Sequence, residues 1–335
     1  MPTMTAETFK ALVVEAAEDK TYVRRIKKRT VDDLPDGEVL IRVDYSSLNY
    51  KDALSAIGNK GVTRSYPHTP GIDAAGTVAD SRVGAFKKGD KVLVTGYDLG
   101  MNTAGGFGRY VRVPAGWVVP LPAGLSLKES MIYGTAGFTA GMGIFFLAER
   151  VKPEAGPVLV TGATGGVGSV SVAVLAKLGY KVAAVTGKTD AAAFLNGLGA
   201  SQIITRADAA DSSGRPLLKA QWAGVVDTVG GEILATAIKS THPWGTVTCC
   251  GNVASPDLPL TVFPFILRGV RLIGIDSQNC PMDIRLKIWE NLADGWKIDG
   301  LKDLAQETSL DGLGEHIDLI LKGGQKGRVV VNLGE

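Results

Sequence analysis

The stretch Val158-Leu-Val-Thr-Gly-Ala-Thr-Gly-Gly-Val-Gly168, continued by Ser169-Val-Ser-Val-Ala-Val-Leu-Ala-Lys-Leu-Gly179, constrains this chain more than any other. An apolar run suited to a buried strand enters a glycine-rich turn, and an apolar helical segment stopped by glycine follows. Glycines at such a turn let the backbone fold sharply and approach a phosphate closely. The free N–H groups and positive dipole end of the following helix then attract it. In the G-x-G-x-x-G pattern the middle and last glycines are Gly165 and Gly168, and Ala163 stands where the first belongs. The strand before and the helix after make this a dinucleotide-binding unit, the alternative being a plain glycine turn in some other α/β protein. Thr164, Gly165, Gly166 and Val167 are expected under the pyrophosphate.

Periodicity divides the chain around that unit. Between residues 8 and 121, short runs such as Ala11-Leu-Val-Val14, Glu38-Val-Leu-Ile-Arg-Val43, Lys91-Val-Leu-Val94 and Tyr110-Val-Arg-Val113 are separated by Pro and Gly pairs. That pattern predicts a barrel-like β module with one short helix near residues 50–57. Ser126 with Glu129 forms a capping box opening helical structure to about residue 149. From 157 to 275 strand and helix patterns alternate, with a helix expected over 190–198, which implies parallel βαβ units with helices on both faces. The tail holds one or two helices and a last strand, Gly327-Arg-Val-Val-Val-Asn332, expected to return to the β module. The expected fold is α/β: a doubly wound parallel sheet over residues 126–282, and a β-barrel-type domain from residues 1–125 and 283–335.

Bulk properties exclude several other classes. A net charge of +2 gives no electrostatic case for nucleic acid or an acidic membrane surface. No apolar run is expected to reach membrane-spanning length, and the first ten residues, which include Glu7, do not resemble a signal peptide. Three cysteines, Cys249, Cys250 and Cys280, make no disulfide framework, which points to a reducing cytoplasm. With His68, His242 and His316 as the histidines and no Cys-x-x-Cys, no zinc cluster can be drawn, and no metal is expected. Cys249 and Cys250 are adjacent on an expected strand, so their side chains should point to opposite faces as buried structural thiols.

The second strand of the dinucleotide unit bears on which cofactor it takes. Enzymes that use NAD end that strand with a carboxylate on the adenosine ribose. Here Lys181-Val-Ala-Ala-Val185 ends in Thr186-Gly187-Lys188, a small hydroxyl residue followed by a cation, which suits a 2′-phosphate. Asp190 is read as part of the next helix's first turn. Arg206, after the third strand, either supplies a second cation or is a solvated arginine. The preferred cofactor is NADPH.

Six segments then occur in order: Ser46-Ser-Leu-Asn-Tyr-Lys-Asp-Ala-Leu54, Pro70-Gly-Ile-Asp-Ala-Ala-Gly76, Gly134-Thr-Ala-Gly-Phe-Thr-Ala140, the glycine loop, Val226-Asp-Thr-Val-Gly230 and Phe265-Ile-Leu-Arg-Gly-Val-Arg-Leu-Ile-Gly-Ile-Asp-Ser277. Together they resemble the medium-chain dehydrogenase/reductase superfamily, in its zinc-free acrylyl-CoA reductase branch, long labelled quinone oxidoreductase. The resemblance spans nearly the whole chain. It implies a GroES-like catalytic domain built from both chain ends, a Rossmann domain between them, and a homodimer. It also implies NADPH-dependent reduction of the C=C bond of acryloyl-CoA to propionyl-CoA. Zinc alcohol dehydrogenases of the superfamily carry a catalytic cysteine near the place of Asn49-Tyr50, and Gly-His-Glu where this chain has Gly71-Ile-Asp73. Both replacements remove metal ligands.

The implied chemistry is conjugate reduction: hydride reaches the β-carbon of an activated alkene, charge develops on the thioester oxygen as an enolate, and a proton goes to the α-carbon. The protein must orient the nicotinamide, stabilise the enolate and exclude water. By resemblance Tyr50 contacts the nicotinamide or the substrate carbonyl, or donates the α-proton; alternatively it anchors a helix start. Asn49 either donates to the enolate or caps the helix, and Asp52 orients a neighbour such as Lys51. Asn252, Ile275, Asp276 and Ser277 follow strand ends and are expected near the nicotinamide half of the cofactor. Arg64, Arg109, Arg285 and Lys326 are candidate cations for the phosphates of an acyl-CoA substrate. Fold does not fix substrate, so a quinone or enone reductase, or a non-catalytic NADPH-binding protein, stands as the alternative.

Overall fold

The computed structural model describes residues 7–19 and 21–334. They form two compact units. The first holds the described residues through Thr135 with Gln278–Leu286 and those from Gly300 onward; the second holds Ala136–Ser277 and Lys287–Asp299.

In the first unit β1 (Thr8–Ala16) and β2 (Tyr22–Thr30) pair antiparallel along their length. β3 (Val39–Ser47) leads into a short helix, α1 (Tyr50–Ala56), and β4 (Asp73–Ser81), β5 (Lys91–Thr95), β6 (Tyr110–Val113) and β7 (Val119–Pro120) follow. Along β3, Val39, Ile41 and Val43 turn into the core while Arg42 stays exposed, the period of a half-buried strand. These valines and isoleucine pack with Val78, Val92, Val94, Val111 and Val113. The helical segment α2 (Leu127–Ala148) opens on the expected capping box: Glu129 N–H donates to Ser126 Oγ at 3.1 Å and Ser126 N–H donates to Glu129 Oε2 at 2.9 Å. It breaks at Gly134, where φ is 52° and ψ is −158°.

The second unit runs β8 (Val158–Val160), α3 (Gly166–Lys177), β9 (Val182–Thr186), α4 (Ala192–Gly197), β10 (Ala200–Thr205), β11 (Trp222–Asp227), α5 (Gly231–Lys239), β12 (Thr241–Cys249), α6 (Phe263–Arg268) and β13 (Arg271–Gly274). Its six strands lie in the order β10-β9-β8-β11-β12-β13 and all neighbours are parallel. Strands β8, β9 and β11 are buried at every residue, as a parallel sheet covered on both faces requires. The chain then forms α7 (Met282–Ala293), β14 (Ala305–Thr308), α8 (Leu313–Leu321) and β15 (Arg328–Asn332). The last strand pairs with β3, closing the order β14-β15-β3-β4-β5-β7 of the first unit's sheet.

Several expectations are corrected. β2 is not among the runs singled out in the sequence, because Arg24, Arg25, Lys27 and Lys28 break any apolar alternation; Lys27 pairs with Glu15 at 2.6 Å and Arg24 with Asp318 at 2.8 Å. The helix expected from Asp190 starts at Ala192, with Asp190 in the preceding turn. α2 is long and apolar enough to cross a membrane, with a mean hydropathy of 1.4, contrary to the expectation for this chain; 78% of that window is buried, as in a core helix. The unit boundaries fall at 135/136 and 277/278 rather than 125/126 and 282/283, and residues 287–299 stand with the second unit. Side-chain contacts explain the shift. Thr135 is hydrogen-bonded to Asp73 of the first unit, whereas Trp289 stacks on Phe138 of the second with ring centroids 5.9 Å apart.

Candidate active site

In the first unit the site begins where β3 ends. Asn49 precedes α1, and its N–H donates to Asp52 Oδ2 at 2.7 Å, the reciprocal half of a capping box. Ile72 N–H donates to Asp52 Oδ1 at 2.8 Å. Asp52 is fully buried; burial first, and the neighbouring charge of Asp73 second, push its carboxyl up to about 7. Tyr50 is the first residue of the helix and remains 43% exposed.

Behind this helix start lies Asp73, the first residue of β4 and fully buried. Ser47 Oγ donates to Asp73 Oδ2 at 2.5 Å and Asn49 Nδ2 at 2.7 Å, while Thr135 Oγ1 donates to Oδ1 at 2.6 Å. The Arg328 guanidinium stands 4.0 Å away. Arg328 donates to Ile132 O (3.0 Å), Leu48 O (3.2 Å), Asn49 Oδ1 (3.3 Å) and Ser47 Oγ (3.0 Å). Gly134 closes the cluster. A Cβ there would lie 2.3 Å from Ser47 Oγ and 2.5 Å from Asp73 Oδ2, and its positive φ already disfavours a side chain.

Two sequence assignments change in consequence. The Asn49 amide hydrogens, expected on an enolate, go to Asp73 and to Ser47 O, while Asn49 takes its other expected place as the N-cap of α1. Asp52, expected to orient Lys51, is held by two main-chain amides, and Lys51 Nζ donates instead to Gln278 Oε1 at 2.6 Å. Arg328 was missed. Its signal was one arginine in an otherwise apolar strand, Gly327-Arg-Val-Val-Val331, which has to find a buried anion.

In the second unit the parallel arrangement gathers all carboxyl strand ends along one sheet edge. The loop after β8 turns at Gly162, with φ 58°, one residue before the expected Ala163. Gly168 packs so closely that a Cβ would lie 2.2 Å from Gly162 O. Gly166, Val167 and Gly168 form the first turn of α3, with Gly165 as its cap, which presents their N–H groups at the sheet edge. At the end of β9, Lys188 N–H donates to Thr186 Oγ1 at 3.0 Å, and Lys188 Nζ reaches Thr164 Oγ1 at 3.3 Å. The Arg206 side chain lies against Gly187: a Cβ there would be 2.5 Å from Arg206 Nε. Thr164, Thr186, Gly187, Lys188 and Arg206 are thus brought together. Asn252 follows β12, and Ile275, Asp276 and Ser277 follow β13, on the same edge; Ser277 Oγ accepts from Thr139 Oγ1 at 2.7 Å.

The loop after β11 lies on the same edge. Asp227 organises it, accepting from Thr161 Oγ1 at 2.7 Å and from Gly230 N–H at 2.9 Å, and so ties it to the glycine loop. Cys249 ends β12 and Cys250 lies beyond it, both half-buried rather than buried; burial raises both thiols, Cys250 to about 12, which leaves them unreactive at neutral pH. Among the acyl-CoA cation candidates, Arg285 is withdrawn: it is fully buried, donates to Thr95 O at 2.8 Å and lies 4.4 Å over the Tyr97 ring. Arg109 is engaged with Val43 O and Asp44, whereas Arg64 is exposed and Lys326 partly so.

A Rossmann-type sheet with a phosphate cradle, in one chain with a barrel-type unit formed by both chain ends, defines a nicotinamide-dependent oxidoreductase class. A family model described as alcohol dehydrogenase GroES-like domain matches residues 35–123, and one described as zinc-binding dehydrogenase matches residues 166–294. The chain is 46% identical to the putative quinone oxidoreductase YhfP of Bacillus subtilis, over 97% of this chain and 99% of that protein. It is 45% identical to the acrylyl-CoA reductase AcuI of Ruegeria pomeroyi, with the same coverage. The yhdH oxidoreductase of Salmonella enterica, solved in complex with NADP, superposes with a TM-score of 0.94 at 42% identity, over 96% of this chain and 99% of that one. YhfP, solved with NAD bound, superposes with a TM-score of 0.95 over 98% of this chain and all of that one. The chain belongs to the medium-chain dehydrogenase/reductase family, in the branch shared by the acrylyl-CoA reductases and YhfP.

The residues present do not fit the zinc that the second description implies. At the places where the resemblance sets metal ligands stand Asn49, Ile72 and Asp73. Asp73 is saturated by hydrogen bonds and faces a guanidinium. Among the described residues no three His, Cys, Asp or Glu side chains converge as ligands would.

Proposed function

We propose that this protein uses NADPH to reduce the C=C bond of acryloyl-CoA, giving propionyl-CoA. The observation that carries the cofactor half is the meeting of Lys188 and Arg206 around Thr186-Gly187, with no carboxylate ending β9. A 2′-phosphate finds two cations there, where an NAD enzyme would end the strand with a carboxylate. The substrate half rests on near-full-length similarity to a protein named acrylyl-CoA reductase. When bound, NADPH would supply the hydride for the β-carbon and would itself become NADP⁺, while the charge on the thioester oxygen is taken up by a proton to the α-carbon.

The chain's own residues take the remaining tasks. The N–H groups at the start of α3, with Thr164, hold the pyrophosphate; Lys188 and Arg206 hold the 2′-phosphate; Asn252 and residues 275–277 line the nicotinamide half. Tyr50, exposed on the first turn of α1, donates a hydrogen bond to the thioester carbonyl or the proton to the α-carbon. Asn49 and Asp52 fix that turn and leave the reacting atoms to other groups.

Similarity to YhfP, a putative quinone oxidoreductase solved with NAD, favours a second reading, reduction of quinones or free enones by the same residues. Initial rates of nicotinamide oxidation with acryloyl-CoA, crotonyl-CoA and benzoquinone, for NADPH against NADH, separate the readings. Acryloyl-CoA turnover with NADPH supports the first, and preference for quinone sinks it. Tight NADPH binding without turnover of any acceptor identifies a non-catalytic binding protein.

A homodimer belongs to the same proposal. Among the described residues β13 pairs with β12 alone, so one sheet edge is open, and Ile266 and Leu267 of the adjacent α6 are 67% and 62% exposed. A second copy would cover both. Light scattering on Ile266→Lys should show a smaller species than the natural chain, and a monomeric natural chain removes this part of the proposal. The free thiols suit a reducing cytoplasm.

A further inference from the structure

The core of the first unit carries buried charge that the proposed chemistry does not touch. Asp52 and Asp73 place two carboxyl groups among packed strands, and Arg328 is the cation that faces Asp73. Such an arrangement is a poor stabiliser, because desolvating the charges offsets most of their attraction. Its geometry has a direction, however. Arg328 reaches four acceptors with its planar fork, and three of them belong to Ser47, Leu48 and Asn49, the residues immediately before Tyr50. Asp73 grips Ser47 and Asn49 from the other side.

We infer that Arg328 is a positioning residue for the reaction: with Asp73 it forms a buried charge pair, and through Asn49 it fixes the backbone from which Tyr50 projects. This presupposes the reductase reading and the role of Tyr50 given above. The pair draws separate segments onto one charged centre. Those segments are residues 47–49, the start of β4, the break in α2 and the start of β15. Lysine cannot substitute, since one ammonium lacks the fork that spans Ile132 O, Leu48 O and the Asn49 amide. Gly134 brings the break in α2 against the centre: a Cβ there would lie 2.8 Å from Arg328 Nη2.

The test compares Arg328→Lys, Asp73→Asn and the double variant Asp73→Asn/Arg328→Gln with the natural chain. A displaced Tyr50 lowers kcat with acryloyl-CoA by about 10- to 100-fold in each single variant. The NADPH dissociation constant, read by nucleotide fluorescence, stays within about twofold, because the phosphate cradle is built on other elements. A pair acting as one unit makes the double variant no slower than the slower single one. Full kcat in Arg328→Lys, equal loss of NADPH affinity, or losses that multiply in the double variant would overturn the inference. If Arg328→Lys does not fold, Ser47→Ala removes only the hydroxyl bridging Arg328 and Asp73, and the same comparison applies. If the natural chain turns over no acceptor, the reductase reading fails by itself, and amide hydrogen exchange judges the pair. Faster exchange confined to residues 47–52 in Arg328→Lys supports it, and exchange unchanged there, or raised everywhere, refutes it.

Discussion

Replacing Lys188 by alanine should separate the two nicotinamide cofactors. Its ammonium stands 3.3 Å from Thr164 Oγ1, between the glycine loop and the end of β9, so a 2′-phosphate there would take a charge-assisted hydrogen bond. Hydrogen bonds to charged groups contribute about 1.5–3 kcal/mol, which is roughly 10- to 150-fold in kcat/KM. Arg206 remains beside Gly187 and offers a second cation, so the expected loss for Lys188→Ala lies near the lower end, about 10-fold for NADPH and less than about twofold for NADH. Arg206→Ala should behave alike, and the double variant should lose more than the product of the two, because its phosphate meets no cation. Gly187→Ala probes the same geometry without removing charge. Its Cβ would come within 2.5 Å of Arg206 Nε, so the guanidinium must swing away, at a cost of a few-fold on NADPH alone. Initial rates with both cofactors at several salt concentrations provide the assay. Salt should raise KM for NADPH in the natural chain more than in Lys188→Ala. Equal losses on NADPH and NADH would refute the reasoning and place these cations at the pyrophosphate or in solvent.

Three other outcomes follow from the first unit. Asp52 holds its proton up to about 7 when folded against an ordinary 3.8, so the native state binds the extra proton between those values. Stability from this group is full below about pH 4 and is lost as pH rises through 7, on the order of 4 kcal/mol, and urea unfolding of Asp52→Asn at about pH 5 and about pH 8 should show that slope removed. Gly134→Ala puts a Cβ 2.3 Å from Ser47 Oγ at a positive φ and should cost more than about 3 kcal/mol, read as a collapse of the melting temperature; an unchanged Tm means the centre can relax. Tyr50→Phe should lower kcat about 100-fold with NADPH binding intact, and a fully active variant would reduce Tyr50 to packing.

What the sequence discloses here is local. The glycine loop, its strand and its helix occupy one continuous stretch, and the dipeptides that follow strands fall at the sheet edge because parallel strands leave them nowhere else. Thr186-Gly187-Lys188 could therefore be placed beside Thr164 before any contact was known. The centre of the first unit was illegible for the opposite reason. Arg328 meets Asp73 only because β15 pairs with β3 and β3 with β4, a registration between distant segments that no periodicity encodes. Asn49 read as a donor to substrate for the same reason: its true acceptor lies on another strand. β2 hid behind its cations, whose partners Glu15 and Asp318 sit on a neighbouring strand and on α8.

The two units place charge in opposite ways, and the contrast bears on what each does. Lys188, partly exposed, and Arg206, exposed, sit at the carboxyl end of a sheet, the edge where a ligand would meet them. Arg328 and Asp73 are buried and their polar atoms are engaged by Ser47, Leu48, Asn49, Ile132 and Thr135, so their charge is spent inside the unit. A buried pair with so many directed bonds contributes little net stability, since an apolar cluster of equal volume would hold the strands as well or better. What an apolar cluster cannot do is fix direction, because dispersion contacts tolerate small rotations that a bidentate fork does not. The residue whose direction is fixed is Asn49, and the next one is Tyr50, the exposed side chain at the head of α1. A reaction whose rate depends on ångström placement of a proton donor gives that rigidity a use.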